Sequence, residues 1–435
     1  MKSLVKYSLL AGAIFSSGTA IASGATAAIS PVDLQSQTTV NQMSSDMLLA
    51  RQQGKLSRNT MISSVSLYYA LSILERGADR TTKTLMTSLL LANDGLKVPE
   101  VAPQLANAIM EPSHPERPTL GHFLLANAIW SSNGASNGKP FTFSESFVAD
   151  SMQYYSATKQ SLDFMAEGAS SYFNDWAAEN TNGLIHEILS DSDVKSFQWV
   201  ITNAAYFEGS WGVATRRQPP NQRYQFKSLD GSTFSTDTIA TRGYRNSVLD
   251  NEDGSLAFSI PFAGRKYSFI VYMPSAEEAD IQGWLLRSGI SDMPNVINTL
   301  NDRTLPLYEL SIELPVFTFE DELEMREGSF VARELGLSPL FSDKVDLTRM
   351  VDRQNTALAV QDTKVGLIKQ NTKIELDEKG VKAAAVTVIS GIQKTSAGRK
   401  FPKRRIVVDR PFVFSIVENT TRTLLFNGVL IKPDH

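Results

Sequence analysis

The C-terminal end of the chain places the strongest constraint on its fold. The segment PFVFSIVENTTRTLLFNGVLI contains two apolar runs around the polar stretch from Glu418 to Thr423. Continuous apolar runs of this kind are typical of strands buried on both faces, and the short polar stretch predicts a hairpin between them. A chain that ends in such a hairpin keeps its C-terminus in the core, which favours one domain over two.

Elsewhere the hydrophobic spacing changes repeatedly between a helical and a strand period. After Ser63 and Ser64, either of which suits an N-cap, VSLYYALSILERGA predicts a buried helix ending near Gly77. SYFNDWAAENTNGLIHEIL predicts a helix broken at Thr181 to Gly183, and YSFIVYMP and LYELSIELP predict strands. Because helices and strands do not alternate regularly and no internal repeat is present, the class is α+β.

The N-terminus resembles a secretory signal peptide. Lys2 and Lys6 precede an apolar stretch that ends in the small-residue pattern Ala20-Ile21-Ala22. The stretch is short and interrupted by Ser and Gly, so it is a poor membrane span. We therefore expect a signal peptide at residues 1–22, one domain at residues 23–435 and a secreted or periplasmic protein.

Composition excludes several classes of function. The chain has no cysteine, so it has no disulfide framework and no thiol nucleophile. Its 42 Lys and Arg nearly balance its 46 Asp and Glu, and a net charge of −4 argues against a general nucleic-acid binder. No second apolar run of membrane-spanning length follows the signal. We expect a monomer that binds neither nucleic acid nor membrane.

No catalytic or metal-binding motif stands out. The four histidines, His114, His122, His186 and His435, do not have metal-ligand spacing, and Ser190 stands where a zinc-protease motif begun at His186 needs its second histidine. The serine of the Glu208 to Gly212 stretch lacks the glycine spacing of a nucleophile elbow. We therefore predict neither a metal nor a cofactor, and an enzyme has no positive support.

The segment IELDEKGVKAAAVTVISGIQKTSAGRKFPKRRIVVDRPFVF, which begins at Ile374, is the most unusual part of the sequence. A long stretch of small and then basic residues is often functional when it lies between core strands. As a strand it would place Val381, Ala383, Ala385, Thr387 and Ile389 on one small or apolar face. A short Ala-rich helix fits the same residues equally well by spacing alone.

A resemblance decides between these alternatives. Asp377-Glu378-Lys379-Gly380, the Ala383-Ala384-Ala385 run, Thr387 and DRPFVFSIVENTTRTLLFNGVL are similar to the reactive-loop hinge and C-terminal signature of the serpin family. Blocks beginning at Ile62, Asn174, Ile201 and Leu314 follow in the family's order. The resemblance covers nearly the whole mature chain, and the signal peptide suggests a secreted bacterial member.

This resemblance implies a fold of three β-sheets and about nine helices with an exposed reactive-centre loop, here at about residues 378–408, that inserts into the central sheet after cleavage. It also implies an irreversible suicide-substrate inhibitor, which a serine protease cleaves and which then traps that protease as a covalent acyl complex. Two alternatives remain open: a non-inhibitory serpin that acts as a binding protein or chaperone, and a secreted hydrolase with carboxylate catalysis.

The resemblance assigns residues to a hinge and to a bait. The hinge comprises Glu378, Gly380, Val381, Ala383, Ala384, Ala385 and Thr387. The family distance from Glu378 places the reactive bond between Lys394 and Thr395, with Arg399 or Lys400 as alternatives, because the downstream part is long. A basic bait implies a trypsin-like target, whose pocket pairs a carboxylate with Lys or Arg.

The resemblance also assigns a gate beneath the insertion site to Ser63, Ser66, Asn203 and Gln370, and it places Trp211 where the loop enters the sheet. Ordinary buried bonding and core packing are equally compatible with these residues. Gln370 stands where many members have histidine, and Ser64 replaces a common proline. Val316 replaces a lysine that often pairs with the hinge glutamate, so we expect Glu378 to be held differently here. Lys382 replaces a common glutamate at a position that points to solvent.

A basic run follows the bait and consists of Arg399, Lys400, Lys403, Arg404 and Arg405. Three interpretations are open: a solvated loop, an exosite that steers an acidic protease, and a site for a polyanion. The same residues also offer trypsin-like enzymes bonds whose cleavage would produce no inhibition.

Overall fold

The computed structural model describes residues 31–91, 96–111, 120–134, 140–221, 223–302, 304–354, 363–381 and 401–433. Within these ranges the chain forms ten α-helices and three β-sheets. The α+β class and the three sheets are confirmed, and the helices number ten where about nine were expected. The predicted signal peptide at residues 1–22 lies outside the described residues.

The helices are α1 (Pro31–Gln52), α2 (Ser64–Gly77), α3 (Arg80–Leu90), α4 (Val98–Ile109), α5 (Glu145–Tyr155), α6 (Ser170–Asn180), α7 (Asp191–Lys195), α8 (Ile281–Trp284), α9 (Met293–Leu300) and α10 (Phe330–Glu334). Ser63 caps α2, because its side chain accepts a hydrogen bond from the Ser66 amide. The helix predicted from Ser171 to Leu189 ends at Asn180, just before the expected break, where Gly183 adopts a positive φ of 67°, and it does not resume over residues 184–189.

The first nine strands are β1 (Thr60–Ile62), β2 (His122–Gly134), β3 (Thr158–Asp163), β4 (Trp199–Ser210), β5 (Thr215–Gln218), β6 (Phe226–Lys227), β7 (Thr233–Phe234), β8 (Thr238–Thr241) and β9 (Tyr244–Asp250). The remaining nine are β10 (Leu256–Pro261), β11 (Tyr267–Met273), β12 (Leu307–Pro315), β13 (Phe317–Met325), β14 (Ile368–Leu376), β15 (Gly380–Val381), β16 (Lys403–Val407), β17 (Phe412–Glu418) and β18 (Thr423–Leu430).

A ten-stranded sheet contains the predicted C-terminal hairpin. Its strand order is β1-β18-β17-β11-β10-β9-β12-β8-β5, and β16 pairs in parallel with β12. Every residue of β17 and β18 is buried, as the continuous apolar pattern predicted. The C-terminal segment therefore lies within the core.

A six-stranded sheet has the order β13-β14-β15-β4-β2-β3. Its back face packs against α2, where Phe207 of β4 lies in the main core. Its front face is partly covered by α6, where Phe173 packs with Trp130 of β2 in a second, smaller core. The candidate site lies in the middle of this sheet, where β15 is only two residues long and ends between two longer strands.

Candidate functional site

The short strand β15 lies between two much longer strands. Val381 is opposite Leu376 of β14 and Gly209 of β4, and Gly380 is opposite Ser210. Val381 is only 4% exposed and belongs to the main core. The hinge segment, Asp377 to Val381, thus begins a strand between β14 and β4.

Gly380 is required by the geometry at this point. Its φ is +153°, in a region that residues with a side chain rarely adopt. A Cβ atom at this position would overlap the carbonyl oxygen of Gly209 on β4. Glycine therefore lets the chain turn tightly from β14 and approach the β4 backbone.

Trp211 anchors the turn that precedes β15. Its backbone amide donates to the Lys379 carbonyl at 2.9 Å, and its indole Nε1 donates to the Asp377 carbonyl at 2.8 Å. The indole ring stacks on Phe262, with 5.0 Å between ring centroids and 8° between planes. Trp211 therefore lies beside the start of the hinge segment.

Glu378 is held by strand β5. Its carboxylate Oε2 is 3.5 Å from Arg217 Nη1, and its backbone carbonyl accepts a hydrogen bond of 2.6 Å from the Thr215 hydroxyl. Arg217 also pairs with Asp237 at 2.5 Å. The sequence led us to expect that Glu378 would lack its usual lysine partner, but it did not identify Arg217 or Thr215.

Beyond β15, strands β4 and β14 enclose a gap. In the described part of the chain, β4 pairs only with β2 and β15, and β14 only with β13 and β15. The gap holds a cavity of about 330 Å³, lined on the front by Trp176, Ile185 and Ile188 and on the back by Leu67 and Leu71 of α2. The central sheet therefore has room for a further length of strand.

Three polar atoms of the cavity wall are buried without a hydrogen-bond partner among the described residues. They are Asn203 Oδ1 on β4, Asn371 Oδ1 on β14 and Thr363 Oγ1. A buried polar atom without a partner costs about 1–3 kcal/mol. A group that formed hydrogen bonds with these atoms would therefore remove that cost.

Gln370 ties β14 to the start of α2. Its amide nitrogen donates to the Ser63 carbonyl at 2.8 Å, and its amide oxygen accepts from the Ser63 amide at 2.9 Å. The Ser63 hydroxyl donates to the Leu425 carbonyl at 2.8 Å, and it also caps the Ser66 amide at 3.3 Å. The side-chain amide of Gln370 thus makes two bonds at the position where many relatives have histidine.

Asn203 stands on the other side of the gap from these residues. Its side-chain nitrogen donates to Asn127 Oδ1 of β2 at 2.6 Å, and Asn127 donates in turn to the Tyr155 carbonyl at 2.8 Å. The structure therefore brings Ser63, Ser66 and Gln370 together on the β14 side and places Asn203 with Asn127 on the β4 side. Asn127 was not identified from the sequence.

Two further residues that hold β1 by hydrogen bonds, Thr372 and Asp321, were not identified from the sequence. The Thr372 hydroxyl donates to the Met61 carbonyl at 2.8 Å, and a carboxylate oxygen of Asp321 accepts from the Met61 amide at 3.3 Å. Asp321 also pairs with Arg58 at 3.0 Å and Arg51 at 3.3 Å. Burial outweighs these arginines and raises the pKa of Asp321 to about 6.

Part of the basic run lies on β16. Arg404 forms a two-pronged pair with Asp250 at 2.5 and 2.6 Å, and Arg405 pairs with Glu313 at 2.9 Å. Lys403 is exposed at the start of the strand. Two of the three described cations therefore have a carboxylate partner.

Several predicted residues lie outside the described residues. They are the hinge residues Ala383, Ala384, Ala385 and Thr387, the bait residues Lys394 and Thr395, and the alternatives Arg399 and Lys400. In the ranges that the structure describes, His, Asp and Glu side chains form no group of three that could hold a metal ion. No helix in those ranges is long and apolar enough to cross a membrane.

Comparison with known proteins identifies the family. The family model described as Serpin (serine protease inhibitor) matches residues 38–433. Serpin-Z10 of Arabidopsis thaliana is 28% identical over 385 residues, which cover 86% of this chain and 92% of that protein. Neuroserpin of Gallus gallus is 27% identical over 390 residues, which cover 86% of each chain. These relatives come from a plant and an animal and give no support for a bacterial origin.

Solved structures show the same fold. Native stressed Arabidopsis AtSerpin1 superposes with a TM-score of 0.72 at 23% identity, over 94% of this chain and all of that one. Native protease nexin-1 with heparin gives 0.69 at 20% identity, over 93% of this chain and all of that one. The family generally consists of protease inhibitors rather than enzymes, so the hydrolase alternative gains no support. With a family match over almost its entire length and this fold, the chain belongs to the serpin family.

Proposed function

We propose that this serpin is an irreversible suicide-substrate inhibitor of trypsin-like serine proteases. The single observation that carries the proposal is the position of β15. The hinge segment already occupies the first two places of a strand between β4 and β14, and a cavity of about 330 Å³ continues along the same gap. Cleavage of the loop would release the chain to extend this strand.

The register of β15 predicts which residues of β4 and β14 would lie opposite each residue of an inserted loop. If the pairing continued from Val381 in the same register, Ala383 would lie opposite Phe207 and Ile374, and Ala385 opposite Ala205 and Thr372. A void of only about 10 Å³ lies among these side chains. A methyl group fits such a space, whereas a long side chain does not, which explains why the inserting face needs alanine here.

Further along, the same register would bring Thr387 between Asn203 and Gln370 in the inserted strand. Its hydroxyl would then lie beside Asn203 Oδ1, which has no hydrogen-bond partner among the described residues. Ile389 would follow into the apolar part of the cavity. Insertion would supply backbone partners to both strand edges and fill the cavity, so the inserted state gains hydrogen bonds and buried apolar area together.

A gel experiment tests this proposal. The protein without residues 1–22 is mixed with trypsin and run under denaturing conditions, and any released C-terminal peptide is identified by mass. We expect a complex that survives denaturation and a peptide that begins at Thr395. The matched control is trypsin whose active site has been blocked beforehand, which cannot form an acyl bond.

Cleavage without a complex would contradict the proposal for trypsin-like targets. The same mixture with chymotrypsin and with elastase then separates an inhibitor of another specificity from a non-inhibitory member. If none of the three proteases is trapped although the loop is cut, the chain is a binding protein or chaperone of the family.

We also propose a polyanion as a second partner, at Lys403 with Arg399 and Lys400. Two of the described cations of this run already pair with carboxylates, so we expect weak binding with strong salt dependence. Native protease nexin-1 with heparin is a solved structure of similar fold, which supports heparin as the probe. Elution from heparin at an unchanged salt concentration in Lys403→Ala would refute a role for Lys403.

Secretion is proposed from the N-terminal pattern alone. A protein exported to the periplasm or medium of a bacterial host, and beginning at Ser23 by mass, would agree with cleavage after residues 1–22. A product that retains Met1 inside the cell would contradict it. Gel filtration with light scattering tests the expected monomer.

A further inference from the structure

The hydrogen bonds around Asn203 fix the orientation of its side-chain amide. The Tyr155 carbonyl can only accept, so Asn127 presents its side-chain nitrogen to that carbonyl and its Oδ1 to Asn203. Asn203 must then donate its own side-chain nitrogen to Asn127 Oδ1. This series of bonds has one direction, and it leaves Asn203 Oδ1 as a hydrogen-bond acceptor on the wall of the cavity between β4 and β14.

A second acceptor lies on the opposite strand. The side-chain nitrogen of Asn371 donates to the Glu187 carbonyl at 3.0 Å, and a carbonyl cannot donate in return. Asn371 Oδ1 is therefore also an acceptor, and it is buried without a hydrogen-bond partner among the described residues. Thr363, which is only 3% exposed, adds a hydroxyl in the same condition to the cavity wall.

The two amides face opposite sides of the central sheet. Side chains alternate along a strand, so Asn203 shares the back face with Phe207, which lies in the main core. Gln370 reaches back to Ser63 at the start of α2, so its neighbour Asn371 faces the front. A molecule that bonds to both amides would therefore pass through the gap between β4 and β14.

The size and lining of the cavity favour a flat apolar body. Trp176, Ile185 and Ile188 line it on the front, and Leu67 and Leu71 line it on the back. An apolar cavity of about 150 Å³ holds benzene. This cavity measures about 330 Å³, which is room for two fused rings.

The charges around the cavity favour a neutral ligand. Among the described residues that line it, no side chain is acidic, and the two cations are Lys364 and Lys369. Lys364 pairs with Asp343 at 3.0 Å, and Lys369 pairs with Glu322 at 2.9 Å. A cationic ligand would lose its hydration without gaining a carboxylate, and an anionic ligand would compete with existing ion pairs.

We propose that the cavity between β4 and β14 is a binding site for a neutral molecule with two fused rings and an N–H or O–H donor on each ring. The donors bond to Asn203 Oδ1 and Asn371 Oδ1, and the rings pack against the apolar wall. The bound molecule lies where the cut loop would insert, so it regulates the inhibitor by competing with the loop. Binding stands by itself, whereas the competition rests on the proposed function.

Calorimetry on the uncut protein tests the binding site. The probe is 5-hydroxyindole, which has one donor on each ring, and the matched control is 5-methoxy-1-methylindole, in which both donors are methylated. We expect one molecule of 5-hydroxyindole per protein and binding of the control that is at least about tenfold weaker, because its methyl groups leave both amide oxygens unpaired. No binding, or equal affinity for the two compounds, would overturn the proposal.

Three variants locate the bound probe. Ile188→Trp fills part of the cavity and should weaken the binding of 5-hydroxyindole at least about tenfold. His186→Trp places the same side chain on an exposed neighbour outside the cavity and should bind as the original protein does. Asn371→Leu removes one acceptor, so 5-hydroxyindole should bind about fivefold weaker while the methylated compound keeps its affinity. Unchanged affinity in both Ile188→Trp and Asn371→Leu would place the probe elsewhere and refute the site.

Two further measurements test the competition with the loop. Protein whose loop has been cut should no longer bind 5-hydroxyindole, because its own chain then fills the gap. With the uncut protein, saturating 5-hydroxyindole should raise the number of inhibitor molecules cleaved per trypsin trapped about threefold. Trypsin alone with 5-hydroxyindole, assayed on a small substrate, is the control for a direct effect on the protease.

The binding site and the proposed function fail separately. If the uncut protein does not bind 5-hydroxyindole, the site is refuted whatever the protein does to trypsin. If uncut and cut protein bind it equally, the site stands and insertion of the loop into this gap fails. If only the uncut protein binds it and the trapping of trypsin does not change, the site and the insertion stand and the regulation is refuted.

Discussion

The guanidinium group of Arg217 lies 3.5 Å from the carboxylate of Glu378 and joins strand β5 to the start of the hinge segment. Arg217 is simultaneously paired with Asp237, which fixes its position. The ten-stranded sheet, through β5, therefore holds the turn that joins β14 to β15 of the six-stranded sheet. Val316 stands where serpins often have a lysine that pairs with the hinge glutamate. The contact between Arg217 and Glu378 takes the place of that ion pair.

Replacement of Arg217 should weaken control of the loop. Among the described residues, Arg217→Ala leaves Glu378 with its backbone bond to Thr215 but without its ion pair, so the hinge segment leaves its native position more easily. The pair is partly exposed and is worth at most about 1 kcal/mol, so we expect inhibitory capacity to decay up to about fivefold faster on warming. Residual trypsin inhibition after timed incubation measures this decay. Arg216→Ala, on the exposed neighbour, should decay as the original protein does.

A long charged side chain on the inserting face should convert the inhibitor into a substrate. Ala383→Arg places a long side chain opposite Phe207 and Ile374, where the void measures only about 10 Å³. We expect trypsin to cut the variant completely with almost no stable complex on a denaturing gel. Ala384→Arg is the matched control: after insertion in this register its side chain would face the front of the sheet, so the variant should keep most of the complex. Equal trapping by both variants would exclude insertion in the register of β15.

Removal of the bait lysine should abolish the action on trypsin. Lys394→Ala deprives the trypsin pocket of its cation, so the rate of complex formation should fall by at least about 100-fold. Progress curves of trypsin activity measure this rate. Arg399→Ala and Lys400→Ala should keep the original rate, and a loss confined to either of them would move the reactive bond to that residue.

Loss of the Gln370 amide should destabilise the intact protein. Gln370→Ala removes both bonds to the Ser63 backbone, which is partly buried, so we expect a loss of about 1–3 kcal/mol in the free energy of unfolding. Urea unfolding of the uncut protein checks the value. Asn371→Ala removes one exposed bond to the Glu187 carbonyl and should cost less. A larger loss in Asn371→Ala would contradict this order.

Asp321 should make the free energy of unfolding decrease as the pH rises from about 4 to 6. Burial raises its pKa from 3.8 to about 6, so the folded protein keeps a proton that the unfolded chain releases in this window. The stability from this group is complete below about pH 4 and is lost as the pH rises through 6, by at most about 1.4 kcal/mol per pH unit.

The comparison with Asp321→Asn isolates this effect, because all other titrations cancel. The free energy of unfolding of the original protein, measured relative to the variant in urea at pH 4, 5, 6 and 7, should fall between pH 4 and 6. A relative stability that rises over this range would mean that Arg58 and Arg51 dominate and keep the carboxylate ionised.

The sequence predicted elements whose signal is local. The continuous apolar runs of the C-terminal hairpin, the capped helix α2 and the alternation of Leu310, Ile312 and Leu314 in β12 are all present as expected. Each depends on neighbouring residues and on burial alone. The same reasoning placed the end of α6 near Gly183, which allows a turn that other residues resist, but it wrongly expected the helix to continue to Leu189.

The contacts around the hinge could not be predicted in this way, because their partners are far apart in the chain. Arg217 and Glu378 are separated by 161 positions, and Gln370 and Ser63 by 307. A single sequence shows which charges and amides exist, but not which of many possible partners the topology brings together. Asn127, Thr215 and Asp321 were missed for the same reason.

The cavity between β4 and β14 is an internal void that disappears if a further strand fills the gap. Hydrostatic pressure favours the state with the smaller partial volume, in proportion to the voids that disappear. A chain that fills about 330 Å³ with its own loop becomes denser without unfolding. Compression of the uncut protein should therefore favour a filled sheet without breaking a peptide bond, whereas a protease reaches a filled sheet only by cutting the loop.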